Sequence, residues 1–271
     1  MHTPQSHESS KNVPQEHSGL SGKVKSAERV LALLDFIAEQ GQVRFQDVVA
    51  FGIPKSSAHG LLFTMVESGW LDYSVDTRYY KLGLHAWQIG HAYDGHRGLV
   101  DAASEAMDML VSRLGETVQL ARLEGIENVY IAIRHSPHPM RMASAVGMRL
   151  HAHATGIGKA LLSTLSDAEV QGRLSSVALP RLTDKTVTDV DQTRRIVDRV
   201  RHLGFAVDDE EFIAGCRCVA VPLVSEDETG VAAGLSITMP SQRTDESWPH
   251  AFYPPLQEAR TMIRRALGLA P

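Results

Sequence analysis

IPKSSAHGLLFTMVESGWL, residues Ile53 to Leu71, decides how the first third of this chain is read. As a helix from Pro54 it places Ala58, Leu61, Leu62, Met65 and Val66 on one face, the apolar stripe of a helix docked on a core. The start of the other face carries Lys55, Ser56, Ser57 and His59. These are cationic or short hydrogen-bonding side chains, without the glutamates that usually decorate a solvated helix. A donor-rich, carboxylate-free helix start suits a polyanion pressed against it.

The neighbouring segments supply a context. Ser26 is positioned to cap a helix over AERVLALLDFIAEQ, whose Val30, Leu33, Leu34 and Ile37 recur at helical spacing before Gly41. FQDVVAFGI makes a second short helix with a turn at Gly52. After the helix quoted above, WLDYSVDTRYYKLGL alternates around Ser74 to Thr77, a hairpin signature. Three short helices and a hairpin over residues 23–84 is the order of a winged helix-turn-helix, whose third helix enters the DNA major groove. Lys55, Ser56, Ser57 and His59 then face bases and phosphates, while Arg78 and Lys81 on the wing reach the adjacent backbone or minor groove. The plainer alternative is a small helical subdomain in which Lys55 ends an exposed turn.

Charge gives this reading no help. The net charge is −5 over 271 residues. Within residues 23–81, Lys23, Lys25, Arg29, Arg44, Lys55, Arg78 and Lys81 are balanced by Glu28, Asp35, Glu39, Asp47, Glu67, Asp72 and Asp76. A nucleic-acid reading therefore rests on where the cations sit. No apolar run approaches a membrane span. Residues 1–22 are polar and read as a disordered tail of a cytoplasmic protein. Cys216 and Cys218 are the only cysteines and, two apart, are poorly placed for an unstrained disulfide.

Residues 85–98 form an expected linker helix, with Leu84, Ala86, Trp87, Ile89, Ala92 and Tyr93 wrapping more than one face, and a second copy of the chain is the simplest partner. Gly95 and Gly98 are expected to loosen the chain after it. Residues 99–271 read as α+β: a helix over DAASEAMDMLVSRLG, strands near TVQLARLEG, NVYIAIRHS and RMASAVG, and a helix in LHAHATGIGKALLSTL. Ser166 caps another helix; one more over DVDQTRRIVDRVRHLG is followed by strands near FAVDDE, CRCVAVPLV and VAAGLSITM and a closing helix bearing Phe252, Leu256, Ile263 and Leu267. Antiparallel strands flanked by helices suggest a GAF-like sensor fold around one central sheet.

In HATGIGKALL, Thr155 to Gly158 open a helix whose free N–H groups and dipole favour an anion, a carboxylate being the natural guest. An ordinary helix capped by Thr155 is the equal alternative. Cys216 and Cys218 point the same way on one strand, as do Ser236 and Thr238 on another, giving a semi-polar wall. GIGK is no phosphate loop, because His153 and Ala160 stand where that motif needs glycine and Ser or Thr. No G-x-S-x-G elbow occurs, and His151 and His153 lack a recognised zinc spacing, so neither cofactor nor metal is implied.

SAERVLALLDFIAE, GIPKSSAHGLLFTMVESGWL and YYKLGL resemble the DNA-binding half of IclR-type transcriptional regulators. GMRLHAHATGIGKALLSTL, LTDKTVTD, GFAVDDEEFIAGCRCVAVPL and LSITMP resemble the second half, so the likeness runs from Val24 to Leu267. It implies a dimer or dimer of dimers on a near-palindromic operator in double-stranded DNA, and a C-terminal domain that binds a small organic acid, such as a keto or aromatic acid. It maps pocket positions onto Met142, Leu150, Gly156, Ile157, Asp208, Cys216, Cys218, Ser236 and Thr238. Asp208 beside an anion is unexpected; it binds a ligand hydroxyl or a backbone amide, or caps its own turn. The family commonly carries arginine after the recognition-helix histidine, where this chain has Gly60. Two other functions compete: a sensory module acting by protein contact, and an enzyme with Cys218 as nucleophile and His153 as base.

Overall fold

The computed structural model describes residues 24–270, so the tail expected over residues 1–22 lies outside the described residues. The chain divides into two compact units, the first ending at Tyr93 and the second beginning at Asp94.

The first unit contains α1 (Lys25–Gln40), β1 (Val43–Arg44), α2 (Phe45–Ala50), α3 (Lys55–Glu67), β2 (Leu71–Tyr73), β3 (Tyr79–Leu82) and α4 (Leu84–Ala92). Its core gathers Leu33 and Ile37 from α1, Val48 from α2, and Ala58, Leu62 and Met65 from α3. The stripe read from spacing is the buried one, with Leu61 and Val66 at its margin. Two details differ from expectation. The first helix begins at Lys25 with Val24 as its uncapped N-terminal neighbour, so Ser26 lies inside the first turn and caps nothing. Val43 and Arg44 pair with Tyr80 and Tyr79, adding a third strand to the hairpin. Two residues are too few to show a strand period.

α4 ends at Ala92, and the next helix, α5 (Arg97–Leu114), already includes Gly98. The linker helix expected over residues 85–98 is therefore shorter, and Gly98 is helical rather than a point of looseness. No residue of α4 is buried; Leu84, Trp87, Ile89 and the following Tyr93 each expose more than half their surface.

The second unit continues with β4 (Thr117–Glu124), β5 (Glu127–Arg134), β6 (Arg149–His151), α6 (Gly156–Leu162), α7 (Asp167–Ser175) and α8 (Val190–Leu203). It closes with β7 (Ala206–Asp209), β8 (Cys216–Val224), α9 (Glu226–Thr229), β9 (Ala233–Pro240) and α10 (Tyr253–Ala266). Six antiparallel strands run in the order β6-β5-β4-β9-β8-β7. Strand alternation sends Val118, Leu120, Val219, Val221, Leu235 and Ile237 to the face covered by α5 and α10. Ala121, Cys218 and Ala220 turn to the opposite face, under α6 and α8. Ser166 does cap α7, in a capping box with Glu169.

RMASAVG, expected as a strand, has no ladder; the strand lies just beyond it, at Arg149–His151, and occupies the free edge of β5. The alternation within the segment is real, since Met142 and Ser144 turn inward between exposed neighbours. At its end the Gly147 N–H donates to the Tyr130 carbonyl at 2.7 Å, but β6 pairs with β5 over Glu127–Val129 and no ladder extends back through the segment.

α6 sits very close to the chain that leads into it. A methyl group on Gly158 would lie 2.2 Å from the Ala152 Cα and 2.4 Å from its carbonyl oxygen, both backbone atoms. Gly158→Ala is therefore expected to lower the urea midpoint of the chain, followed by circular dichroism, with a loss of about 3 kcal/mol typical of overpacking. An unchanged midpoint would mean that α6 can back away.

Candidate functional site

Two groups of residues, one in each unit, carry the chemistry read from the sequence. In the first unit, Pro54 precedes α3 and fixes its entry, leaving Lys55 and Ser56 exposed on the first turn and Ser57 half-buried. The His59 ring packs on Phe45 with centroids 4.2 Å apart. In the wing, Ser74 accepts the Arg78 N–H at 2.8 Å, and Arg78 takes a left-handed conformation with φ 58°. His59 and Arg78 thereby line one cleft of about 640 Å³, together with Arg44, Gln46, Tyr73, Asp76 and Thr77.

Lys55, Ser56 and Ser57 stay outside that lining, on the exposed start of the same helix. Lys81 is also outside it; cross-strand pairing brings its ammonium 3.7 Å from Asp72, so part of its charge is met within the wing. Arg44 and Gln46 were missed by sequence reasoning. Arg44 is placed by the short strand β1, with its guanidinium 4.6 Å over the Tyr79 ring.

In the second unit, Met142, Leu150, Ile157, Asp208, Cys216, Cys218 and Thr238 surround one small cavity, joined by Tyr130, Thr155, Phe212 and Ile213. Its volume is about 10 Å³, room for roughly one water. Gly156 and Ser236 stand behind this lining. Gly156 lets α6 approach β8, because a methyl there would come within 2.9 Å of the Cys218 sulfur. The space the glycines provide is filled by the protein's own atoms. Thr155 is the N-cap of α6, accepting the Gly158 N–H at 3.1 Å and donating to Asn128 Oδ1 at 2.7 Å. The N–H groups of Gly156 and Ile157 have no acceptor within the helix.

Gln119 is the polar residue that sequence reasoning overlooked. Fully buried on β4, it lies opposite Ser236, and its Oε1 accepts the hydroxyls of Ser236 at 3.0 Å and Thr238 at 3.1 Å. Its amide nitrogen has no partner. Only the β4–β9 register brings these three together, and the sequence of β4 alone does not carry that information.

Asp208 makes the backbone contacts that were one of its readings: Oδ1 accepts from the Glu211 N–H at 2.7 Å and the Phe212 N–H at 3.3 Å. Burial outweighs the nearby Lys159 ammonium and pushes its carboxyl up to about 7. Burial, with Asp208 next in importance, also pushes both thiols up to about 12. A thiol so placed is a poor nucleophile near neutral pH. His153 is nearly fully buried, its Nε2 lying 3.1 Å from the Pro180 carbonyl.

A family model described as the IclR helix-turn-helix domain matches residues 26–74, and one described as the bacterial transcriptional regulator IclR C-terminal matches residues 91–265. The transcriptional regulator XynR of Escherichia coli is 33% identical over 247 residues, covering 90% of this chain and 98% of XynR. The chain belongs to the IclR family of transcriptional regulators. Among solved structures, Thermotoga maritima IclR superposes with a TM-score of 0.70 at 27% identity, over 90% of this chain and 99% of that one. An IclR homologue from Microbacterium hydrocarbonoxydans, solved with 4-hydroxybenzoate, gives 0.74 at 26% identity, over 88% and 99%. As an IclR-family protein, this is a DNA-binding transcriptional regulator with a C-terminal effector domain. No helix among its described residues is long and apolar enough to cross a membrane.

The raised Asp208 carboxyl has a measurable consequence. The folded chain retains a proton that the unfolded chain, with an ordinary carboxyl near 4, releases. Between about pH 4 and 7 the folded state thus binds more protons, and stability falls as pH rises through that window. The slope from this group is at most about 1.4 kcal/mol per pH unit. Asp208→Asn, which keeps the acceptor oxygen, is expected to flatten that part of a denaturation profile measured from pH 4 to 8. An identical slope in the variant would place the Asp208 carboxyl back in the ordinary range.

Proposed function

We propose that the chain is a ligand-controlled transcription factor without enzymatic activity, acting in the cytoplasm as a homodimer or dimer of dimers on a near-palindromic operator. The observation that carries this reading is the cleft between the start of α3 and the wing, where His59, Arg44 and Arg78 converge with Asp76 as the one carboxylate in the lining. A DNA backbone entering that cleft meets Arg44 and Arg78, while Lys55, Ser56, Ser57 and His59 face the groove. Lys81 contributes less, since Asp72 shares its charge. The exposed Leu84, Trp87 and Ile89 of α4 supply an apolar surface for a second copy.

In the second unit, a small organic acid is the proposed effector, held by Gln119, Thr238, Asp208 and the Gly156 and Ile157 N–H groups, with Met142, Leu150 and the two cysteines as walls and Ser236 behind. An uncharged Asp208 resolves the oddity of a carboxyl beside an anion, because below about pH 7 it is a hydrogen-bond donor. An open groove of about 390 Å³ shares Met142, Ile213 and Cys216 with the closed cavity. Displacing Met142 and Ile213 would merge the two into a site of ordinary ligand size. That homologue's 4-hydroxybenzoate makes aromatic acids a natural first choice.

The test uses the full chain and duplex DNA from the promoter region beside its own gene. Lys55→Ala and Arg78→Ala are each expected to weaken binding and to reduce the salt slope by about one. A methyl on Gly60 would meet nothing within 4 Å, so Gly60→Arg is expected to fold normally, bind more tightly and steepen that slope by about one. Keto and aromatic acids are expected to raise the melting temperature, and Gln119→Leu or Thr238→Val to abolish the rise. DNA binding indifferent to Lys55 and Arg78 would refute the first half; melting unmoved by every acid would refute the second.

A further inference from the structure

A second cavity, of about 420 Å³, opens beside β7 at the outer edge of the six-stranded sheet. Its lining shares no residue with the cavity bounded by Met142. Ile196, Val200 and Leu203 from α8 form its apolar wall with Phe205 and Trp248. The size is that of a site for a small molecule.

Arg199 and His250 also line the cavity, and its buried polar groups belong to Lys159, Glu211 and Trp248. Lys159, from α6, is 1% exposed and its ammonium lies 2.5 Å from Glu211 Oε1. Burying such a pair costs desolvation that well-packed apolar residues would avoid, so stability alone does not account for it. The other carboxylate oxygen, Glu211 Oε2, is buried and receives no hydrogen bond, and the buried indole N–H of Trp248 donates none. An orphan acceptor and an orphan donor on residues lining one apolar cavity are each unfavourable until something fills them.

A hydroxyl group both donates and accepts. The free Glu211 oxygen would repel a carboxylate at this point, while Arg199 and His250 elsewhere in the lining would attract one, so an aryl carboxylate is the competing ligand of the test. We propose that this cavity is a second ligand site, which binds neutral aryl alcohols with the ring against Leu203, Phe205 and Trp248 and the hydroxyl donating to Glu211 Oε2. Its ligand class therefore differs from the acid of the first site, and it stands whether or not that assignment holds.

Titration of the full chain with benzyl alcohol, followed by ligand-observed NMR, tests this. Saturable binding is expected, with toluene and benzoate each weaker by tenfold or more, as loss of a hydrogen bond to a charged group implies. Leu203→Trp fills the cavity from a partly exposed position and is expected to abolish binding, with Ile196→Trp as the second filling variant should the first fail to fold. Glu211→Gln is expected to weaken binding about tenfold. Absence of saturable binding, binding that survives a folded filling variant, or toluene or benzoate binding as tightly as benzyl alcohol would overturn the proposal.

Discussion

The second unit depends on how closely α6 lies against its surroundings. Gly158 has no room for a methyl against Ala152, and Gly156 has none against Cys218. This approach sets the Thr155 cap against Asn128, brings Ile157 to the small cavity and buries Lys159 on the far side of the same helix. One seven-residue helix thus borders two cavities of different character. A glycine in a helix weakens it by roughly 0.5–1 kcal/mol relative to alanine. Two in the first turn are tolerated because tertiary contact, rather than helix propensity, holds α6 in place.

Much of this was legible beforehand, and particular residues show why. The α3 stripe could be read because Ala58, Leu62 and Met65 recur at helical spacing over a full-length helix. Cys216, Cys218 and Thr238 could be assigned to one face because strand parity is strict, and the observed Cys218–Thr238 pairing joins them. Gln119 could not, since its meaning comes from a partner more than a hundred positions away. RMASAVG failed for a related reason: alternation reports which side chains turn inward, while a strand also needs a ladder of bonds to a distant partner, and this segment only touches β5 at Gly147. Lys159 looked like part of a glycine-rich helix start, and nothing local foretold that it would be buried beside Glu211.

In the first unit, composition and placement pointed in opposite directions. A neutral segment has no long-range attraction for DNA, so affinity must come from cations held at defined points. The structure supplies such fixing: Arg44 rests on Tyr79, His59 on Phe45, and the left-handed Arg78 ends a hydrogen-bonded turn. Side chains already ordered lose less entropy on docking than free lysines would. Gly60 leaves an open position on the same helix, so under the proposed DNA contacts those that remain carry more of the recognition.

A cavity of about 10 Å³ and an effector of several heavy atoms are incompatible in one conformation. If the proposed effector enters there, its binding draws on a state in which the wall formed by Met142 and Ile213 is open, and the apparent affinity is reduced by the fraction of chains in that state. This cost is also what allows regulation. A ligand shifts an equilibrium only by the difference in its affinity for the two states, and a closed cavity has almost none for it. The turn from Asp208 to Phe212 is the element placed to register the change, since it lines the cavity and is tied back by two N–H bonds to the Asp208 carboxyl. Glu211, in the same turn, holds the Lys159 ammonium and borders the second cavity. Residues of one turn thus border both cavities, so coupling between the two proposed ligands would run through it.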